Sequence, residues 1–335
     1  MNSFGRLFRI SIFGESHGDS IGITIDGCPA GINLTVKDFS SDMKRRQPKN
    51  KGTTRRKESD IPHILSGLFK KRTTGAPLTI MFKNKDVRSK DYLSIKNLPR
   101  PGHVDLSAHQ KYGGFHDFRG SGHFSGRLTA CLVAAGVVAK KLIHPLTVKA
   151  QLIEAGGSQN ITKAVNSAIE LDDSIGGIVE CTTSRLPAGL GEPFFDSVES
   201  YISHLAFAIP GIKAIEFGSG FACSRMLGSE CNDIIINKNG KTRTNHNGGI
   251  NGGITNSNEI IFRVAVKPPS SIPKDQETIN LSTGKKAVVS AKGRHDVCIA
   301  LRLPVILEAV TAIALADLSL LEHMTPRVNK TEKDS

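Results

Sequence analysis

The chain contains no tryptophan and only three tyrosines in 335 residues, and aromatics make up 5% of it. That is poor material for the stacking platforms on which proteins hold nucleic-acid bases. Its six cysteines, Cys28, Cys131, Cys181, Cys223, Cys231 and Cys298, include no Cys-x-x-Cys pair. Such scatter fits reduced thiols in a cytoplasmic protein better than a disulfide framework or a zinc site. The eleven histidines form no His-Glu-x-x-His and no Cys/His grid, and neither an EF-hand loop nor a Walker A motif is present, so metal-centred and P-loop chemistry lose their sequence support. The longest uncharged apolar stretch, Leu128 to Ala139, is shorter than a bilayer crossing requires. Met1 leads directly into Asn2-Ser3-Phe4-Gly5-Arg6 without an apolar core segment, so no secretory signal is expected.

Acid is the other scarcity. Lys and Arg total 44 against 31 Asp and Glu, a formal charge of +13, and the surplus is uneven. From Lys44 to Lys57 there are eight basic residues and no acid. A basic stretch of this kind admits two readings, nucleic-acid binding or the handling of small, multiply anionic ligands. The low aromatic content favours the second.

The length allows one large domain or two ordinary ones, and 39% hydrophobic with 22% charged residues excludes global disorder. Leu7 to Phe13 and Ile21 to Ile25 alternate as half-buried strands do, and Leu78 to Phe82 and Ile260 to Lys267 read as further strands. Thr35 with Asp38 three residues on is an N-terminal cap signal for a helix carrying Val36, Phe39 and Met43 on one face and ending near Pro48. Ile161 to Leu171 reads as a helix. Ser125 to Ile143 and Val305 to Leu321 read as long buried ones, one late in each half, which hints at an internal duplication. No linker composition separates the halves, so one compact unit is expected, with 328–335 as a disordered tail.

Several segments carry the residue types of a site. Gly14-Glu15-Ser16-His17-Gly18 puts an imidazole and a hydroxyl in a tight turn between two strands, where a proton-transfer residue could be presented. It is not a Gly-x-Ser-x-Gly elbow. Pro99-Arg100-Pro101-Gly102-His103-Val104-Asp105 holds a second histidine in a φ-restricted segment. Arg119-Gly120-Ser121-Gly122-His123 opens the first buried helix and is only a near miss for a dinucleotide fingerprint, although a glycine-rich lead-in there offers N–H groups to an anion. Lys267-Pro268-Pro269-Ser270-Ser271 and Gly293-Arg294-His295-Asp296 add cations, hydroxyls and a carboxylate. For each segment alone an ordinary turn or ion pair is the competing reading.

Taken in order, these stretches resemble the chorismate synthase family. The signposts are Phe13 to Gly18, Arg45-Arg46 with Thr53-Thr54, Leu65-Ser66-Gly67, Thr73-Thr74-Gly75, Arg88 to Tyr92, Arg100 to His103, Pro187 to Pro193, Gly228-Ser229-Glu230, the double Gly-Gly turn at 248–253, the Lys267 loop and Gly293 to Asp296. They span residues 4 to about 321. The resemblance implies an α+β fold, a single large domain over 1–327 with a β-α-β sandwich core and internal pseudo-symmetry, assembled as a cytoplasmic homotetramer. It implies a carbon–oxygen lyase acting on a phosphate, which eliminates phosphate and the C6 proton from 5-enolpyruvylshikimate 3-phosphate in an anti 1,4 sense to give chorismate. Reduced FMN is needed, with no net redox change; some members reduce their own FMN with NADPH, but no extra reductase segment is recognised here, so an external source is the expected supply.

By position, the resemblance makes His17 the acid on the departing phosphate and His103 the residue that keeps the reduced flavin neutral. Asp296 becomes a proton-relay carboxylate with Ser16 as its partner. Arg45, Arg46 and Lys51 become substrate clamps. FMN contacts fall on His123, Phe124, Ser125, Gly252, Lys267, Pro268, Pro269, Ser270, Ser271 and Arg294, with Pro210 and Gly211 as further flavin contacts. The family's common Gly-Gly-Gly-Arg-Ser-Ser-Ala-Arg-Glu-Thr is replaced here by Gly120-Ser121-Gly122-His123-Phe124-Ser125-Gly126-Arg127-Leu128-Thr129. An Arg thus becomes His123, and a Ser of the family's proton relay becomes Phe124. Two other functions compete: a nucleic-acid-binding protein using Lys44 to Lys57, and a conventional flavin oxidoreductase.

Overall fold

The computed structural model describes residues 2–48, 51–54, 56, 58–93, 96–291, 293 and 295–324; Arg294 and the tail expected at 328–335 lie outside them. Two antiparallel sheets form the outer layers. The first contains β1 (Ser3–Phe4), β2 (Arg9–Gly14), β3 (Ser20–Asp26) and β4 (His63–Ser66). A short hairpin of β5 (Leu68–Phe69) and β6 (Arg72–Thr73) then leads to β7 (Leu78–Lys83), which completes the first sheet in the order β1-β2-β3-β7-β4. The second sheet has β8 (Val148–Ala155), β9 (Gly177–Thr183), β10 (Ile212–Phe217) and, after the hairpin β11 (Ile250–Asn251) and β12 (Ile254–Thr255), β13 (Ile261–Val266). Its order is β10-β13-β9-β8. A separate pair, β14 (Gln276–Ile279) and β15 (Lys286–Val289), lies outside both.

Two long helices fill the space between, with shorter ones around them. The elements are α1 (Ser40–Arg46), α2 (Asp105–Lys111), α3 (Thr129–Leu142), α4 (Ile161–Glu170), α5 (Val198–Phe207), α6 (Gly228–Cys231) and α7 (Leu303–Met324). Helix α3 packs on the first sheet, α7 packs on the second, and the two pack on each other. Each half thus contributes an antiparallel sheet and one long interior helix, the sandwich expected from the resemblance. Close approach of α3 and α7 depends on Gly136, where a Cβ would sit 2.5 Å from Ala309 Cα.

The expected strands and helices appear within a few residues of their sequence positions, and the capping box at Thr35 and Asp38 is present. The second long helix runs two to three residues past the expected Val305 to Leu321 at each end and carries two acids within its apolar run. Glu308 and Asp317 interrupt that run, yet both are buried and fully partnered. Glu308 accepts from Arg45, Lys140 and the Ala150 amide. Asp317 accepts the amides of Arg6, Leu7 and Phe8, each at 2.7 Å, and the Tyr201 hydroxyl. Buried charges are tolerable when so satisfied. By length and composition the stretches Arg119–Leu142 and Ile299–Met324 could span a membrane, but 78% of each apolar window is buried inside the protein; they form its interior layer.

Candidate functional site

One large cavity, of about 1170 Å³, opens where the first sheet, the N-terminal ends of α3 and α7, and the loop after β13 converge. This exceeds the ordinary range for a single small ligand, roughly 300–1,000 Å³, so it has room for two. Its walls divide by chemistry. Phe4, Ile12, Leu132, Leu205 and Ile209 make an apolar side, while seven Arg and Lys side chains face three carboxylates, Glu58, Asp60 and Asp296, among the described lining residues.

The turn between β2 and β3 brings Ser16 and His17 to the cavity wall. Asn84, just after β7, holds that turn by donating to the carbonyls of Glu15 and Gly18 at 3.0 and 2.8 Å. Ser16 is 1% exposed, and its hydroxyl accepts from Arg56 Nη1 at 2.8 Å. His17 Nδ1 lies 3.2 Å from Ser89 Oγ, and its ring meets Tyr92 edge-on. Behind the ring stands Gly120 at φ +56°, where any Cβ would come within 2.5 Å of His17 Nε2.

The densest charge cluster lies at the start of α3. Asp60 accepts from Arg46 Nη1 at 3.0 Å and from Arg127 Nη1, all three side chains being at most 4% exposed. One carboxylate therefore serves two buried guanidiniums. Burial is the main cause that pushes the Arg46 guanidinium below its usual range, with Arg302 and Arg127 adding to it against Asp60. Arg127 Nη2 is buried without a hydrogen-bond partner among the described residues. An excess of buried positive charge with an unused donor is a prepared anion site. Arg302 continues the row: its Nη1 lies 3.4 Å from Asp296, which also accepts the Thr54 amide at 2.9 Å.

His103 sits opposite. Its Nδ1 is 2.6 Å from Asp105 Oδ1 and its Nε2 is 3.2 Å from Ser121 Oγ. Arg100 clamps Asp105 through Nε and Nη2, both at 2.8 Å, and donates to Ser271 Oγ at 2.8 Å. Lys267 Nζ is held by the Gly102 carbonyl and by Ser270 Oγ, which ties the loop after β13 to the His103 segment.

Of the site residues expected from the sequence, the cavity gathers Ser16, His17, Arg46, His103, His123, Phe124, Ser125, Pro210, Gly211, the run Lys267 to Ser271, and Asp296. Three are not brought there. Arg45 turns away to pair with Glu308, exposed Lys51 does not line it, and Gly252 lies in the β11–β12 hairpin. Arg294 falls outside the described residues. Sequence reasoning assigned no site role to Asn84, Asp60, Arg100, Asp105, Ser121, Arg127 or Arg302, and it marked Arg56 only as one of the Lys44 to Lys57 cations. Arg100, Asp105 and Ser121 stand inside quoted motifs and could have been found; Asp60 carries no local signal.

Comparison with known proteins bears on the family and the fold. Residues 8–320 match the family described as chorismate synthase. A chorismate synthase of Chitinophaga pinensis is 60% identical over 331 residues, covering 98% of this chain and 100% of that protein. One from Dehalococcoides mccartyi is 42% identical, with 98% and 99% covered. A solved structure titled "Crystal Structure of Chorismate Synthase" superposes with a TM-score of 0.73 at 24% identity, over 95% of this chain and 93% of the other, which speaks for the fold. With near-complete coverage at such identity, the chain belongs to the chorismate synthase family.

Proposed function

We propose that this chain converts 5-enolpyruvylshikimate 3-phosphate to chorismate, eliminating phosphate and the C6 proton in an anti 1,4 sense with reduced FMN required and unchanged overall. The observation that carries this reading is the cavity's charge, seven cationic side chains to three carboxylates in a space large enough for two ligands. The substrate brings two carboxylates and a phosphate, and FMN a further phosphate. Arg46, Arg127 and Arg302 offer planar donor forks matched to such anions. The nucleic-acid alternative finds no support, since Arg46 and Arg56 of the basic stretch face this cavity.

The residues present fit a flavin mononucleotide. Lys267, Ser270 and Ser271 provide a cation and hydroxyls, Pro210, Gly211 and Phe124 flank the apolar side, and Arg127 Nη2 is an unused buried donor. When bound, reduced FMN supplies electron density to the allylic carbon–oxygen bond that breaks. His17 protonates the departing phosphate, held in place by Ser89, Tyr92 and Gly120. His103 governs the proton balance on the flavin side, and Asp296, with Ser16 as its partner, would relay a proton from the N5 position of the bound flavin. Each acid–base role is worth about 10²–10⁴ in rate.

The same reading includes a cytoplasmic homotetramer fed by an external source of reduced flavin. Phe194 and Phe195, at 86% and 91% exposure, support burial against another copy. An anaerobic assay of the purified chain with chemically reduced FMN tests the activity. Stoichiometric phosphate and chorismate are expected, with none from NADPH and oxidised FMN alone. Equal turnover without flavin, or flavin oxidised once per turnover, would overturn the reading; the second result would favour a conventional oxidoreductase.

A further inference from the structure

We infer that Asp105 and Ser121 are positioning residues for His103: Asp105 holds the imidazole as its Nδ1–H tautomer, and Ser121 meets the Nε2 lone pair which that tautomer turns toward the cavity. The geometry is direct, with 2.6 Å from His103 Nδ1 to Asp105 Oδ1 and 3.2 Å from Nε2 to Ser121 Oγ. Asp105 is bound by Arg100 through two nitrogens. Burial alone would raise its pKa, but the bonds from Arg100 and His103 outweigh burial and hold it well below the usual carboxylate range. An ionised carboxylate can only accept, so the proton of the short bond belongs to Nδ1. Arg100 Nη2 also lies 3.1 Å from Nδ1; two donors face each other there, and the guanidinium acts as a neighbouring positive charge.

The ring is poised toward its neutral form. Burial is the largest cause lowering the His103 pKa; Asp105 opposes it, while Arg100 and Lys267 reinforce it. Beyond Asp105, a small cavity of about 20 Å³ is lined by Tyr92, Lys96, His109 and His116, the other titratable groups among its described lining residues, with room for one water. A neutral Nδ1–H imidazole presents Nε2 as an acceptor. The Ser121 hydroxyl can donate to it, and can accept from it once a proton has arrived, without moving.

Ser121 is unusually placed for this. It adopts φ +67° between Gly120 at +56° and Gly122 at +51°, a left-handed stretch that normally excludes side chains. Its hydroxyl has two side-chain neighbours, His103 Nε2 and, at 3.5 Å, Arg100 Nη2. For turnover, this means that His103 must gain a proton at Nε2 before it can give one. That consequence rests on the function proposed above; the tautomer does not.

The test is a long-range ¹H–¹⁵N correlation on the ligand-free full chain labelled at histidine, titrated with pH and assigned through His103→Gln. His103 is expected as the Nδ1–H tautomer with a pKa below 6.5. In Asp105→Asn the loss of the anion should lower that pKa further, by about 1 pH unit or more. In Ser121→Ala the tautomer should persist while the Nε2 resonance shifts. An Nε2–H tautomer in the unsubstituted chain overturns the inference and needs no variant to fold. An unchanged pKa in folded Asp105→Asn, or an unchanged Nε2 resonance in Ser121→Ala, overturns the role of that residue. These readouts need neither substrate nor flavin, so they stand or fall separately from lyase activity.

Discussion

Arg45 makes a two-pronged ion pair with Glu308, Nη2 to Oε1 at 2.6 Å and Nη1 to Oε2 at 2.7 Å, and this pair joins α1 to α7. The neighbouring Arg46 faces the other way, into the cavity. Successive residues on a helix point about 100° apart, so two adjacent arginines divide between a structural role and a ligand-facing one.

Replacing Arg45 should therefore cost stability more than turnover. Glu308 keeps Lys140 and the Ala150 amide, and Arg45 is 43% exposed, so Arg45→Ala is expected to cost about 1–2 kcal/mol. Chemical denaturation measures this directly. A parallel steady-state assay should show a smaller effect on kcat/KM than Arg46→Ala produces.

Asp60→Asn should have a larger effect. It leaves Arg46 and Arg127 buried with no counter-charge, and unpairing buried ions costs about 3–5 kcal/mol. Because the deficit is one of negative charge, sulfate or phosphate should raise the melting temperature of Asp60→Asn more than that of the unsubstituted chain. Melting curves with sulfate and with chloride at matched ionic strength check this.

Gly120→Ala tests the positioning of His17. A methyl group at that site would press into the imidazole, and φ +56° disfavours any side chain. Turnover should fall by about 10²-fold or more, approaching that of His17→Ala, while substrate binding is largely kept. Equilibrium binding and kcat, measured on both variants, separate the two effects.

The pH dependence has a definite sign. His103 has a folded-state pKa below its ordinary 6.5, chiefly through burial, so the unfolded chain takes up a proton first as pH falls through 6.5. Its contribution is lost between that value and the lower folded pKa, at up to about 1.4 kcal/mol per pH unit. His103→Gln should thus lose less stability between pH 7 and 5.5 than the unsubstituted chain. Glu308 acts at lower pH. Burial raises its pKa, but Arg45 and Lys140 outweigh burial and depress it, so its stabilisation is present above the ordinary carboxylate range and lost as acid reaches the folded value.

Most of the architecture was legible because local signals agreed with the global packing. Period-two alternation marked β2, β3, β7 and β13, and long runs of small apolar residues marked α3 and α7. What holds Glu308 and Asp317 buried within α7 was not legible, since their partners lie far away in the chain. Site residues in glycine-rich or proline-rich segments, such as His17 and His103, announced themselves by the turns that present them. Asp60 did not, because its meaning comes from two arginines, 14 and 67 positions away.

The sequence by itself determined the family, the positions of the main strands and helices, and the pairing of proton-transfer residues with a surplus of positive charge. Only the tertiary structure decided which charges face the cavity. Arg45 and Arg46 are the same side chain in adjacent positions, and what separates them is a buried carboxylate on each side, Glu308 for one and Asp60 for the other. A guanidinium's role is set by the charge it finds within a few ångströms, and that distance is a property of the folded chain.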